Sequence, residues 1–126
     1  MGKPARKRYV AAAIAAAMVA VMPCAAQAHA MLARAMPPVG SSQNAAPREV
    51  VLSFTEDLEP AFCAIEVRSE SGAVVSSGKA HVDARLHTQL KVALKPIPPG
   101  TYKVSWRVLS VDTHRTQGDF TFKVGP

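Results

Sequence analysis

Apolar side chains recur at every second position over much of the chain. The sets are Val50, Leu52 and Phe54; Cys63, Ile65 and Val67; Leu90, Val92 and Leu94; Tyr102, Val104, Trp106 and Val108; and Phe120, Phe122 and Val124. A period of two marks a strand with one buried face, because successive side chains leave an extended backbone on opposite sides. No long stretch keeps the 3.6-residue period of an amphipathic helix. The pattern predicts seven strands: Ala30–Ala35, Glu49–Phe54, Ala61–Ser69, Ala73–Ser77, Gln89–Leu94, Gly100–Ser110 and Gly118–Val124. Gly100–Ser110 carries the longest alternating set and is expected at the centre of the core.

Turn-forming residues fall between these runs: Pro37-Pro38 with Gly40, Asn44 through Pro47, Ser71-Gly72, and Pro96 through Gly100. Short strands at such spacing suit two packed sheets rather than a doubly wound fold. The expected architecture is all-β, an immunoglobulin-like Greek-key β-sandwich or barrel. The turn Gly100-Thr101-Tyr102 leading into a Trp-bearing strand fits that packing, although the Cys pair of antibody domains is missing.

The first 28 residues have a different character. Lys3, Arg6, Lys7 and Arg8 precede an uncharged apolar run, Val10 to Met22, of 13 residues. A spanning helix needs about 20. Pro23 breaks the run, and Ala26-Gln27-Ala28 has the A-x-A form that signal peptidase cuts, so 1–28 is read as a cleaved signal and 29–126 as the exported domain. Lipidation at Cys24 is the weaker alternative, since Pro23 is a poor residue to precede a lipidated Cys. Cleavage leaves 98 residues, enough for one small domain. It also removes four of the 15 Lys and Arg while all nine Asp and Glu stay, so the formal +6 falls to +2. That balance gives no argument for nucleic acid or for a membrane surface as partner. Only Cys63 remains, so no internal disulfide is expected, and its place in an alternating apolar set reads as a small buried hydrophobe.

Candidate chemistry rests on histidines. If cleavage falls before His29, its α-amine and imidazole belong to one residue and can chelate one metal ion, and an amine that titrates near 8 yields its proton at small cost. Val111-Asp112-Thr113-His114 follows a strand, and in extended chain residues i and i+2 point the same way, so Asp112 and His114 are expected to reach one ion together. An amine, two imidazoles and a carboxylate, with no sulfur, favour Cu(II), with Zn the main competitor and Cu(I) disfavoured. On residue types alone, an exposed histidine and a turn-capping aspartate explain the triplet equally well. His81-Val82-Asp83, with His87 close behind, has the same spacing; a solvated loop is its ordinary reading and an accessory metal site its alternative. Glu56, Asp57 and Glu59 read as a charged turn. No G-x-S-x-G elbow, phosphate-binding glycine loop, C-x-x-C or H-E-x-x-H motif is present.

Several of these segments together resemble the CopC-like periplasmic copper-resistance proteins. They are His29-Ala30 with Pro37-Pro38 and Gly40; Val51 through Glu56; Pro98 through Val108; Ser110-Val111-Asp112-Thr113-His114; and Gly118 through Val124. The resemblance implies a periplasmic monomer that holds one Cu(II) per chain through His29, Asp112 and His114. It places the acid Glu56 beside the metal, to orient a ligand or bind weakly. It implies a role in copper resistance, buffering or delivery to a CopD-type inner-membrane importer, with no enzyme activity. Some family members carry a Met-rich loop for Cu(I) in the region that corresponds to Arg68–Gln89. This chain has no Met there, and after residue 28 only Met31 and Met36, which implies a Cu(II)-only member. Two alternatives stand beside this reading. An N-terminal His with a second His also resembles the copper centre of lytic polysaccharide monooxygenases, and an immunoglobulin-like interaction module would make His29 incidental.

Overall fold

The computed structural model describes Gly2 and residues 30–126. Eight strands run in the order β1 Leu32–Met36, β2 Ser42–Gln43, β3 Glu49–Phe54, β4 Ala64–Ser69, β5 Ser76–Val82, β6 Gln89–Leu94, β7 Gly100–Leu109 and β8 Arg115–Val124. They form two four-stranded sheets, ordered β1-β3-β6-β5 and β2-β8-β7-β4. The chain crosses between sheets at every connection from β1 to β5 and again from β6 to β7, while β5–β6 and β7–β8 are antiparallel pairs within a sheet. The all-β sandwich expected from the alternation is what the chain forms.

The buried core is built from the predicted faces. Val50 and Leu52 of β3 and Leu90 and Val92 of β6 pack in one cluster with Val67 of β4, Val104 and Val108 of β7, and Phe122 of β8, all with at most 2% exposure. Burying a side chain of this size stabilises by roughly 1.5–3 kcal/mol, so this cluster holds the sandwich with no disulfide among the described residues. Cys63 is half-buried against it, and its thiol donates to the Glu59 carbonyl oxygen at 3.1 Å. Tyr102, 2% exposed, sends its hydroxyl back to the Pro98 carbonyl, which pins the turn that opens β7 in the manner of the tyrosine corner of immunoglobulin-like domains. Trp106 is not at the centre. It is half-buried near one end of the sandwich, where its ring crosses to Phe54 of the other sheet, edge to face at 5.0 Å between centroids.

β1 runs over Leu32–Met36 and not Ala30–Ala35, β7 ends one residue early at Leu109, and the larger differences from the alternation lie elsewhere. β4 starts at Ala64 because Pro60–Phe62 forms a 3-10 turn; Pro60 has no amide to give a ladder and sets the helical φ at its start. β5 runs over Ser76–Val82 and not Ala73–Ser77, continuing past a register shift between Ser77 and His81 in which Gly78 takes φ +74°. Such a bulge breaks the period that would have marked the strand. β8 begins at Arg115, since polar Arg115–Gln117 continue the antiparallel ladder opposite Arg107–Leu109. β2, two residues pairing parallel with β8, is too short to carry a period.

Candidate metal centre

The β7–β8 hairpin ends in a turn whose geometry comes from its hydrogen bonds. The Ser110 amide donates to the His114 carbonyl oxygen at 3.0 Å, and the Thr113 amide to the Ser110 carbonyl at 2.9 Å. Closing the loop this way leaves Thr113 at φ +72°, a conformation that a β-branched residue seldom takes. The turn sets the Asp112 and His114 side chains against each other, with Asp112 Oδ2 3.2 Å from His114 Nδ1. The two residues predicted to act together therefore do meet, but for another reason than expected. They are not i and i+2 of an extended strand, and the left-handed Thr113 between them brings the two side chains together.

Ser110 is fully buried, and its hydroxyl donates to Asp112 Oδ1. This bond, with smaller contributions that include the neighbouring His114, holds the Asp112 carboxyl below its ordinary pKa, because each favours the charged form. Both side chains stay reachable from solvent, Asp112 at 34% and His114 at 49% exposure, so an ion can approach them.

Two further segments are tied to this turn. The loop after β3 bonds to it twice: the Val111 amide donates to the Asp57 carbonyl at 3.0 Å and the Glu59 amide to the Leu109 carbonyl at 2.9 Å. Glu56 is half-buried on that loop. The beginning of the described chain is held from both sheets. Met31 and Thr55 exchange bonds, Met31 N–H to Thr55 Oγ1 and Thr55 N–H to the Met31 carbonyl, both at 2.9 Å. From the other sheet, Thr116 Oγ1 donates to the carbonyl of fully buried Ala30 at 2.7 Å. Thus Ala30 is bonded to Thr116 of β8, two residues along the chain from His114, and Met31 to Thr55, one residue before Glu56. His29 lies outside the described residues. Among the described residues no group of three His, Cys, Asp or Glu side chains gathers in a metal-binding cluster, and Asp112 and His114 stand as a pair. Ser110, Thr55 and Thr116 escaped the sequence reading, because hydroxyls at strand ends look like ordinary surface positions until the tertiary bonds are seen.

The rival triplet does not converge. His81 lies in strand β5 and not in a loop between strands, opposite Lys91 of β6. Asp83 is occupied as a turn cap: its Oδ1 accepts from the amides of Arg85 at 2.8 Å and Leu86 at 2.9 Å, and its Oδ2 faces Lys91 Nζ at 3.1 Å. His87 Nε2 lies 3.2 Å from the Ala84 carbonyl oxygen. The two backbone bonds, first that from Arg85, and the Lys91 contact pull the Asp83 carboxyl down to about 2. A carboxyl whose folded pKa lies below its unfolded value near 4 contributes stability that is complete above that value and is lost as pH falls toward the folded pKa. Asp83→Asn is therefore expected to lower stability at pH 7 and to flatten the decline between about pH 4 and 2. Urea unfolding of both proteins across that window checks it, and parallel curves would refute the contribution of the Asp83 charge.

Residues 32–125 match the model of the CopC domain. The chain belongs to the CopC family. It is 35% identical over 98 residues to the protein YobA of Escherichia coli K12, an alignment that covers 77% of this chain and 79% of YobA. Its structure superposes on that of CopC from Methylosinus trichosporium OB3b with a TM-score of 0.73, at 32% identity, over 78% of this chain and 95% of the other. It also superposes on PcoC, a methionine-rich copper resistance protein from E. coli, with a TM-score of 0.68, at 32% identity, over 77% and 99%. CopC membership gives the domain a copper-related function and groups it with copper-binding resistance proteins rather than enzymes, which sets the monooxygenase alternative aside. Among the described residues no helix is long and apolar enough to cross a membrane.

Proposed function

We propose that this CopC protein is exported to the periplasm and holds one Cu(II) per chain between its processed N-terminus, His29, and the Asp112–His114 pair. The observation that carries the reading is the tether of Ala30 to Thr116. Consecutive Cα atoms are about 3.8 Å apart, so a residue joined to Ala30 starts one peptide unit from an anchor that stands two positions from His114. An α-amine and imidazole delivered there would complete the donor set that Asp112 and His114 leave unfinished. Such a set of nitrogen and carboxylate oxygen, without thiolate or thioether, matches the preferences of Cu(II). Glu56, on the loop bonded to the same turn, would orient a ligand or bind weakly.

Only two methionines occur after residue 28, Met31 and Met36, both on or beside β1, so the chain has nothing like a methionine-rich Cu(I) site between Arg68 and Gln89. Binding of one oxidation state suits buffering in copper resistance, or delivery to an inner-membrane importer of the CopD type, better than a relay between two. The test is a Cu(II) titration of the chain that begins at His29. Saturation at one ion per chain, with clearly weaker binding in Asp112→Asn and His114→Ala and weaker competition from Zn, is expected. Undiminished affinity in both variants would discard the site.

A further inference from the structure

Beside the Tyr102 hydroxyl, Ser110 carries the one polar side chain among the buried residues of the described chain, and its position relative to the candidate ligands is specific. A buried hydroxyl needs a partner, and Ser110 Oγ has two acceptors in reach, Asp112 Oδ1 and, at 3.2 Å, the His114 carbonyl oxygen. A hydroxyl has a single proton, and the carboxylate is the stronger acceptor. The torsion of a carboxylate about its last bond is otherwise broad, so one fixed oxygen orients the whole group. With Oδ1 taken, Oδ2 is the oxygen turned to His114 Nδ1. The backbone of Ser110 acts on the other partner: its amide donates to the His114 carbonyl, and its carbonyl accepts the Thr113 amide that closes the turn.

We propose that Ser110 is a positioning residue for the metal: through its hydroxyl it clamps Asp112 so that Oδ2 alone is presented beside His114, making this carboxylate a one-oxygen ligand. The proposal rests on the Cu(II) reading above and adds to it which oxygen binds and what holds it. Two-oxygen binding by Asp112 would need Oδ1 to share its lone pairs between the Ser110 hydroxyl and the ion within the orientation the clamp sets, so the clamp favours Oδ2 as the ligand atom. Because the amide of residue 110 still bonds to His114 in any variant but proline, removing the hydroxyl releases Asp112 and leaves the hairpin closed.

The experiment compares the chain beginning at His29 with Ser110→Ala and Ser110→Thr. Cu(II) affinity is measured by chelator competition, the copper geometry by electron paramagnetic resonance, and the metal-free fold by melting. Loss of a group that orients a metal ligand typically costs 10–100-fold in affinity, and a fall of roughly that size is expected for Ser110→Ala. A changed copper spectrum and a near-native metal-free melting temperature should accompany it, and Ser110→Thr, which keeps the donor, should restore affinity and spectrum. Unchanged affinity and spectrum in Ser110→Ala would overturn the proposal while leaving the copper site standing. So would a loss in both variants that tracks a lowered metal-free melting temperature, since that is packing and not orientation. A parent chain that binds no Cu(II), or an Asp112→Asn variant as tight as the parent, would overturn the copper reading itself and this proposal with it.

Discussion

One extra residue in front of His29 is expected to weaken Cu(II) binding by at least about 100-fold, with the fold unchanged. The extension turns the α-amine of His29 into an amide, whose nitrogen offers a lone pair only where the ion displaces its proton, and it breaks the ring that amine and imidazole of one residue form on a metal. Removing one arm of a multidentate site forfeits its effective concentration, a factor of roughly 10²–10⁴. Nothing in the described structure depends on the lost amine. Ala30 keeps its bond to Thr116, Met31 its pair of bonds to Thr55, and Asp112 its contact with His114. Chelator competition at pH 7.5 on the two chains, with melting curves as the control for folding, measures the effect. Affinity falls as pH drops below about 8, because protons compete with the ion for the α-amine. Equal affinity in the two chains would place the copper elsewhere.

Which parts of this were legible beforehand follows from the distance over which each is decided. The inward faces of β3, β6, β7 and β8 could be read from Val50 to Val124, because alternation is a local property and the core selects it directly. Pairing of Asp112 with His114 could be read as a fact about spacing, yet its cause could not. Thr113 in a left-handed conformation is set by the bonds of Ser110 across the turn, and a threonine gives no local sign of it. The extent of β5 and the start of β8 were hidden because an edge strand with a bulge, or a polar hairpin end, is held by backbone pairing that side-chain pattern does not report. The tethers Thr116–Ala30 and Thr55–Met31 join residues 86 and 24 positions apart, and only the closed sandwich brings them together. The histidine triplet at His81 shows the converse: its spacing equals that of Asp112 and His114, but Asp83 is spent on capping a turn.

The second large effect concerns stability and reaches the same end of the molecule. Gly118 of β8 sits opposite Trp106 of β7, and a Cβ built on it would stand 2.7 Å from Trp106 Cζ2 and 3.0 Å from Cε2. The backbone of Gly118 does not require glycine; the indole lying across the strand does. Phe54 meets that indole edge to face at 5.0 Å on its way to the other sheet, so the ring cannot slide inward to make room. Gly118→Val is therefore expected to force Trp106 outward, losing the aromatic pair and the burial of the indole, at a cost of about 1–3 kcal/mol. For a domain of this size each kcal/mol lowers the melting temperature by roughly 4–8 °C, so a drop on the order of 10 °C is expected, with a red shift in the emission of this single tryptophan as its ring meets water. Phe54 immediately precedes Thr55, which holds Met31, so the same substitution should loosen the entry of the N-terminus and weaken Cu(II) binding in the folded protein. A Gly118→Val protein with unchanged melting and emission would mean that Trp106 rests elsewhere. One that melts lower yet binds copper as before would mean that the Trp106–Phe54 contact supports the sandwich but not the site.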